Sequence, residues 1–156
     1  MSIKKSIEHV FVLMLENHAF DTMLGLSGIK GIKSPSGNSN EYQGKKYPVT
    51  GPAPTSMTTD PGHEVPDVLE QLTNIPPDKQ HKPIGPYPSD KFPPNFADGT
   101  GFVKNYVTNT DEDNPGPPDP DRYGDIMKCF ERKQLPVLQT LAEEFAVCTG
   151  WHAASP

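Results

Sequence analysis

Nowhere in these 156 residues do more than six apolar side chains follow one another. A helix that crosses a bilayer needs about 20, so no membrane span is expected. Cysteine is scarce as well, with only Cys129 and Cys148. Two thiols do not make a disulfide scaffold, and neither a Cys-x-x-Cys pair nor a Cys/His zinc pattern is present. Both read as small, partly buried residues, and no spacing demands that they pair. Positive charge is thin: the formal net charge is −6, and no basic cluster is denser than Lys4-Lys5 or Lys45-Lys46. A duplex-binding face needs more than that, so no nucleic-acid partner is expected. Gly25, Gly28 and Gly31 lack the Gly-x-Gly-x-x-Gly spacing of a dinucleotide loop. "DEDNPG" opens like a calcium loop, but Pro115 and Arg122 stand where an EF-hand needs ligands. Asp111 to Asp121 reads as a solvated acidic loop.

Proline is plentiful, with 19 residues, and 13 glycines join it. Eleven of the prolines fall in the stretch 76–120, read as a Pro-rich loop region within one domain. Irregular chain of that length in a compact domain often surrounds a site. Met1 to Leu15 mimics a signal peptide, with Lys4-Lys5 ahead of an apolar run. Glu8 and His9 interrupt it and no small-x-small cleavage site follows, so a cytoplasmic protein is the expectation.

Ile7 to Leu15 reads as a buried strand of a parallel sheet, continuously apolar after His9 and β-branched at Val10 and Val12. His18 to Leu26 predicts a short helix carrying Phe20, Met23 and Leu24. A hairpin is expected around Gly44, between Tyr42 and Tyr47 to Val49. Val65, Val68, Leu69 and Leu72 fall at i, i+3, i+4 and i+7 and predict a helix with Pro66 in its first turn. "GFVKNYV" predicts a short helix presenting Phe102, Val103 and Tyr106. Gln134 to Phe145 predicts another, with Leu135, Leu138, Leu141, Ala142 and Phe145 as its apolar face. Ala146 to Cys148 would begin a second buried strand.

The run Val10 to Leu15 stops on Glu16 and Asn17, at the carboxyl end of the expected strand, where open α/β sheets place ligands. A carboxylate beside an amide suits a divalent cation. The same pair also suits a strand end meeting water, with Asn17 capping the next helix. His63 in "DPGHE" reads either as a catalytic imidazole or as a structural histidine ahead of a helix, and Asp60 could cap the Pro61-Gly62 turn.

Four segments taken together go further. "IEHVFVLMLENHAFDTMLG", "DPGHE", "GFVKNYV" and "QLPVLQTLAEEFAVCTGWHAASP" stand in the order found in one group of proteins. The sequence resembles the bacterial and plant phosphoesterases that include non-specific phospholipases C and a respiratory-burst-inhibiting acid phosphatase. The resemblance runs from Ile7 to Pro156. It implies an α/β fold, an alkaline-phosphatase-like three-layer sandwich around a mostly parallel sheet, of which 1–156 would be the N-terminal part. It implies that Glu16 and Asn17 bind a divalent metal ion and that His63 lines the phosphate pocket. His18-Ala19 stands where the family usually has Arg-Ser, and Thr22 where His is common. Neither departure removes a proposed ligand.

The family's nucleophile, a Thr or Ser after Pro-Gly-Pro, would align three residues past Pro156, and its distal acidic metal ligands farther on. The resemblance thus implies a metal-dependent phosphoesterase acting on a phosphoester small molecule or a phospholipid, with any membrane contact through the substrate. Residues 1–156 by themselves are expected to be inactive. Two alternatives stand beside this reading. One is a non-catalytic binding module or remnant; the other, within the enzyme class, is a sulfatase-like hydrolase.

Overall fold

The computed structural model describes residues 9–13, 18–76, 99–109 and 116–151. Among the described residues are four short helices, α1 (Phe20–Leu24), α2 (Val65–Thr73), α3 (Phe102–Thr108) and α4 (Pro136–Glu144), and a hairpin of β1 (Ser39–Tyr42) and β2 (Lys45–Pro48). Two 3-10 turns, Tyr123–Met127 and Arg132–Gln134, link α3 to α4.

The hairpin forms where the turn chemistry places it. Gln43 and Gly44 both hold positive φ, 52° and 74°. That is the paired left-handed geometry whose twist matches the strands of a two-residue loop. The strands pair antiparallel, with Asn40 opposite Tyr47. Tyr47 then packs with Val103, Val107 and Met127 in the core, and Tyr42, Val49, Phe102, Tyr123 and Ile126 close around them. Asn40, 2% exposed, ties the hairpin to α3. Its Nδ2 donates to Gly99 O at 2.8 Å and its Oδ1 accepts from Val103 N at 3.0 Å. One side chain thereby satisfies an otherwise unpaired amide of the first turn of α3.

α2 packs against α3. Gly101 makes the approach close: a Cβ there would strike the carbonyl of Glu70. Its amide donates to Gln71 O at 3.0 Å. At the start of α2 the Asp67 carboxylate takes the Glu64 amide, 3.2 Å away. At its end Asn74 turns left-handed at φ 59° and bonds back to Glu70 O. Downstream, Thr50 runs beside Lys128 as an isolated parallel bridge. Phe130 N donates to Thr22 O at 2.8 Å and Gln139 Nε2 to Met23 O at 3.3 Å, which seats α1 and α4 on this strip.

The hairpin and all four helices match the sequence reading in place, with bounds a few residues shorter. Other expectations are corrected. The Ile7–Leu15 strand is not formed over its described part: Val10 to Leu13 are unpaired, and Phe11 is 94% exposed. A parallel strand needs a hydrogen-bonded neighbour. Among the described residues the chain is α/β, helices beside a small antiparallel sheet whose two strands pair only with each other. Ala146 to Cys148 forms no strand either, and Cys148 is exposed. α4 buries only part of its expected face: Ala142 is buried and Leu135 and Leu138 are half-buried. Leu141 and Phe145 are exposed, whereas Gln139 is buried. No helix among the described residues is long and apolar enough to cross a membrane.

Candidate functional site

Asp60 to His63 lies between the loop after the hairpin and the first turn of α2. The loop ahead of it is fixed from two sides. Thr59, 3% exposed, donates its hydroxyl to Gly116 O at 2.8 Å. Arg122 donates from Nη2 to Ser56 O at 2.9 Å.

Arg122 is itself held by Asp125, whose carboxylate accepts from Arg122 Nε at 2.7 Å and Lys128 Nζ at 2.8 Å. Burial pushes the Asp125 carboxyl up. The hydrogen bonds from Lys128 and Arg122 and their charges outweigh burial and hold it below the usual carboxylate range. Tyr106 lies fully buried in the same neighbourhood. Burial, then the Asp125 charge, push its phenol up, while Arg122 and Thr58 pull weakly the other way. Among the described residues no group meets hydrogen-bond geometry with that hydroxyl.

Gly62 sits directly on a buried polar cluster. A Cβ there would collide with the Asp67 carboxylate and Asn105. Gly62 O accepts from Gln71 Nε2 at 2.6 Å. Gln71 donates also to Asn105 Oδ1 at 2.8 Å, and Asn105 Nδ2 donates to Asp67 Oδ1 at 2.9 Å and Glu70 Oε2 at 3.0 Å. Lys104 Nζ completes the cluster, 3.1 Å from Glu70 Oε1. The fully buried carboxylate of Asp67 and its neighbour Glu70 are therefore both bonded, as buried charge requires.

On this base the His63 imidazole stands in the open, its side chain 64% exposed. Its internal contacts are long, with Nδ1 3.4 Å from Pro61 O and 3.9 Å from Asp60 Oδ2. Neither would compete strongly with a ligand. A solvent-facing imidazole on a pinned loop can donate to, or accept from, an incoming oxygen.

Glu16 and Asn17 lie outside the described residues. Among the described residues no group of three or more His, Cys, Asp or Glu side chains could hold a metal ion. In kind, the Glu16 and Asn17 oxygens fit a hard divalent cation; in number they fall short of the roughly six oxygens such an ion takes. The cysteines are free: Cys148 is exposed and Cys129 is buried. Burial, then the Asp21 carboxylate, push the Cys129 thiol up and away from reactivity. Cys129 lines a half-open cleft of about 350 Å³ with Asp21, Phe102 and Met127, and His63 takes no part in it.

Sequence reasoning missed the Asp67, Gln71 and Asn105 cluster. A signal was present. Asp67 and Glu70 share a helix face at i and i+3, and the i+4 positions are Gln71 and Asn74 rather than Lys or Arg. Acids without local partners on one face of a helix need partners from elsewhere.

Residues 7–156 match the Phosphoesterase family. Three proteins of Arabidopsis thaliana are similar over almost the whole chain. Non-specific phospholipase C3 is 27% identical, covering 96% of this chain and 27% of the relative. Non-specific phospholipase C4 is 27% identical over 96% and 26%. Non-specific phospholipase C1 is 25% identical over 99% and 26%. The chain thus spans about a quarter of the length of the curated relatives it matches. No solved structure matches it.

Proposed function

The chain belongs to the phosphoesterase family, and from that premise we propose that it serves metal-dependent hydrolysis of phosphoric esters of the phospholipase C and acid phosphatase type. The fold proposed for that work is the alkaline-phosphatase-like three-layer sandwich, to which these residues contribute the N-terminal part. The supporting observation is His63. Its imidazole faces solvent while the backbone on either side of it is bonded to side chains of α2, the buried Asp67 and the half-buried Gln71. An exposed base on a fixed mount suits a ligand oxygen that must arrive in one place.

In this reading His63 contacts a phosphoryl oxygen. As imidazolium it stabilises charge there or passes a proton to the departing alkoxide, and as neutral imidazole it donates one hydrogen bond. Glu16 and Asn17 hold a divalent cation, which supplies positive charge to the phosphoryl oxygens when bound. The amide of Asn17 adds a ligand without adding a second negative charge to repel phosphate. Phosphate monoesters and phospholipid headgroups share the tetrahedral anion that these groups would meet.

The attacking hydroxyl is proposed to lie beyond Pro156. Thr59 is an unsuitable substitute, because its hydroxyl is buried on Gly116 O.

The test is binding first and turnover second. Titration of the purified chain with vanadate or inorganic phosphate, each with Mg²⁺, Ca²⁺, Mn²⁺ or Zn²⁺, is expected to show cation-dependent association. His63→Ala and Glu16→Ala should each weaken it about tenfold or more. The same chain is expected to leave p-nitrophenyl phosphorylcholine uncleaved. Equal affinity in all three proteins would overturn the assignment of His63 and Glu16. Cation-dependent turnover would place the nucleophile within residues 1–156.

A further inference from the structure

His63 has an anchor on each side. The carbonyl before it, Gly62 O, is held by Gln71, and the amide after it, Glu64 N, is held by Asp67. Both anchors run back to one residue. Asn105, 1% exposed on α3, accepts from Gln71 with its Oδ1 and donates to Asp67 with its Nδ2. The amide can face only one way. Turned over, its carbonyl oxygen would meet the carboxylates of Asp67 and Glu70, and its protons would meet the donating amide of Gln71.

From this geometry we infer that Asn105 is a positioning residue for His63, acting through Gln71 on the carbonyl before the imidazole and through Asp67 on the amide after it. The inference rests on the reading of His63 as a phosphoryl contact, and it joins two sequence motifs, "DPGHE" and "GFVKNYV", into one device. A bulk-packing role would need only a side chain of similar volume. The observed role needs two protons on one atom and an acceptor on the other, which among side chains of this length asparagine alone offers. Gly62 belongs to the same device, since a Cβ there would push the loop off Asp67 and Asn105. Lys104 and Glu70 hold the far side, so Asn105 cannot tilt away from the loop without abandoning Glu70.

Hydrogen exchange tests the mount apart from the function. Glu64 N–H is the reporter, since it is the proton held by Asp67. Asn105→Ala and Gln71→Ala are compared with Val103→Ala, a core truncation in α3 whose side chain packs with Tyr47, Val107 and Met127. All are read at temperatures where each variant is folded to the same extent. The expected result is exchange at Glu64 accelerated at least tenfold in Asn105→Ala relative to Val103→Ala. In Gln71→Ala, loss of the Gly62 anchor alone should produce a rise of a few-fold.

A second arm measures vanadate affinity with the cation that binds best. It should fall about tenfold in Asn105→Ala and stay within twofold in Val103→Ala. If Asn105→Ala does not fold, Gln71→Ala decides, because Gln71 is half-buried and its loss leaves the carboxylates bonded. Equal behaviour of the cluster and core variants in the exchange arm would overturn the positioning role. Normal exchange results with no vanadate binding in any protein, wild type included, would overturn the phosphoryl reading and leave the mount standing.

Discussion

α2 and α4 are both nine residues long, both carry proline in the first turn and both have an apolar stripe, yet they meet the rest of the chain in opposite ways. α2 buries Asp67 and Glu70 beside Leu69 and leaves Val65 half exposed. α4 buries Gln139 and Ala142 and leaves Val137 72% and Leu141 50% exposed. The difference lies in the neighbours. α3 offers α2 an amide and an ammonium at the right height, so acids go inward and are satisfied. Among the described residues α4 is tied to α1 by the bond from Gln139 to Met23 O and to the preceding turn by the Arg132–Glu143 ion pair, and Leu141 finds no cover. Periodicity locates a helix, but the face that goes inside is chosen by what stands opposite.

This comparison can be broken most directly at Gly101. Replacing it with alanine drives a methyl into the Glu70 carbonyl, and backbone cannot step aside as a side-chain tip can. Gly101→Ala is expected to cost roughly 3 kcal/mol in urea denaturation, at the upper end of overpacking effects. A loss below about 0.5 kcal/mol would mean that the α2–α3 seam is loose and the comparison with α4 fails.

Acid gives the next effect. The folded-state pKa of Asp125 lies below its ordinary value. Its contribution is therefore present above the unfolded value of about 3.9 and is lost as pH falls through the lower folded value. Stability should drop on acidification below about pH 4, and Asp125→Asn should remove roughly 1–2 kcal/mol of that drop. Denaturation midpoints from pH 6 to pH 2.5 measure it. Parallel curves for the two proteins would show that Arg122 and Lys128 do not hold the carboxylate in solution.

The smallest effect belongs to the outer face of α4. Phe145 is 73% exposed, and Phe145→Ser should change stability by no more than about 0.5 kcal/mol. It should still lower binding of a hydrophobic dye, as Leu141→Ser should, because both remove apolar surface from water-facing chain. A loss of about 2 kcal/mol would show that this face is buried in solution and that the two helices are alike after all.

What could be read from the sequence follows the same divide. The hairpin at Gln43-Gly44 and the helices α2 and α3 were legible because their signals are local: two turn residues, a proline and a spacing. His63 was singled out only by the family resemblance, because "DPGHE" ahead of a helix also suits a structural histidine. The Val10 to Leu13 run was misread as paired strand, since strand formation depends on a neighbour that local sequence cannot supply. Asn105 escaped notice because an asparagine in a short helix looks like surface; only the two acids brought to it across the α2–α3 seam make it interior. The inward turn of Gln139 on α4 was hidden for the same reason, its partner being a backbone carbonyl of α1.

The Asn40 bridge has a kinetic consequence. The hairpin that carries Asn40 closes through a two-residue turn and needs no distant contact, so it can form within about 1–10 μs. The bonds from Asn40 to Gly99 and Val103 span 59 and 63 positions along the chain. Closing a loop of that size is an entropic step that no helix or hairpin can take alone. Asn40 thus ties a hairpin that can form on local contacts alone to a helix it can meet only by closing a long loop.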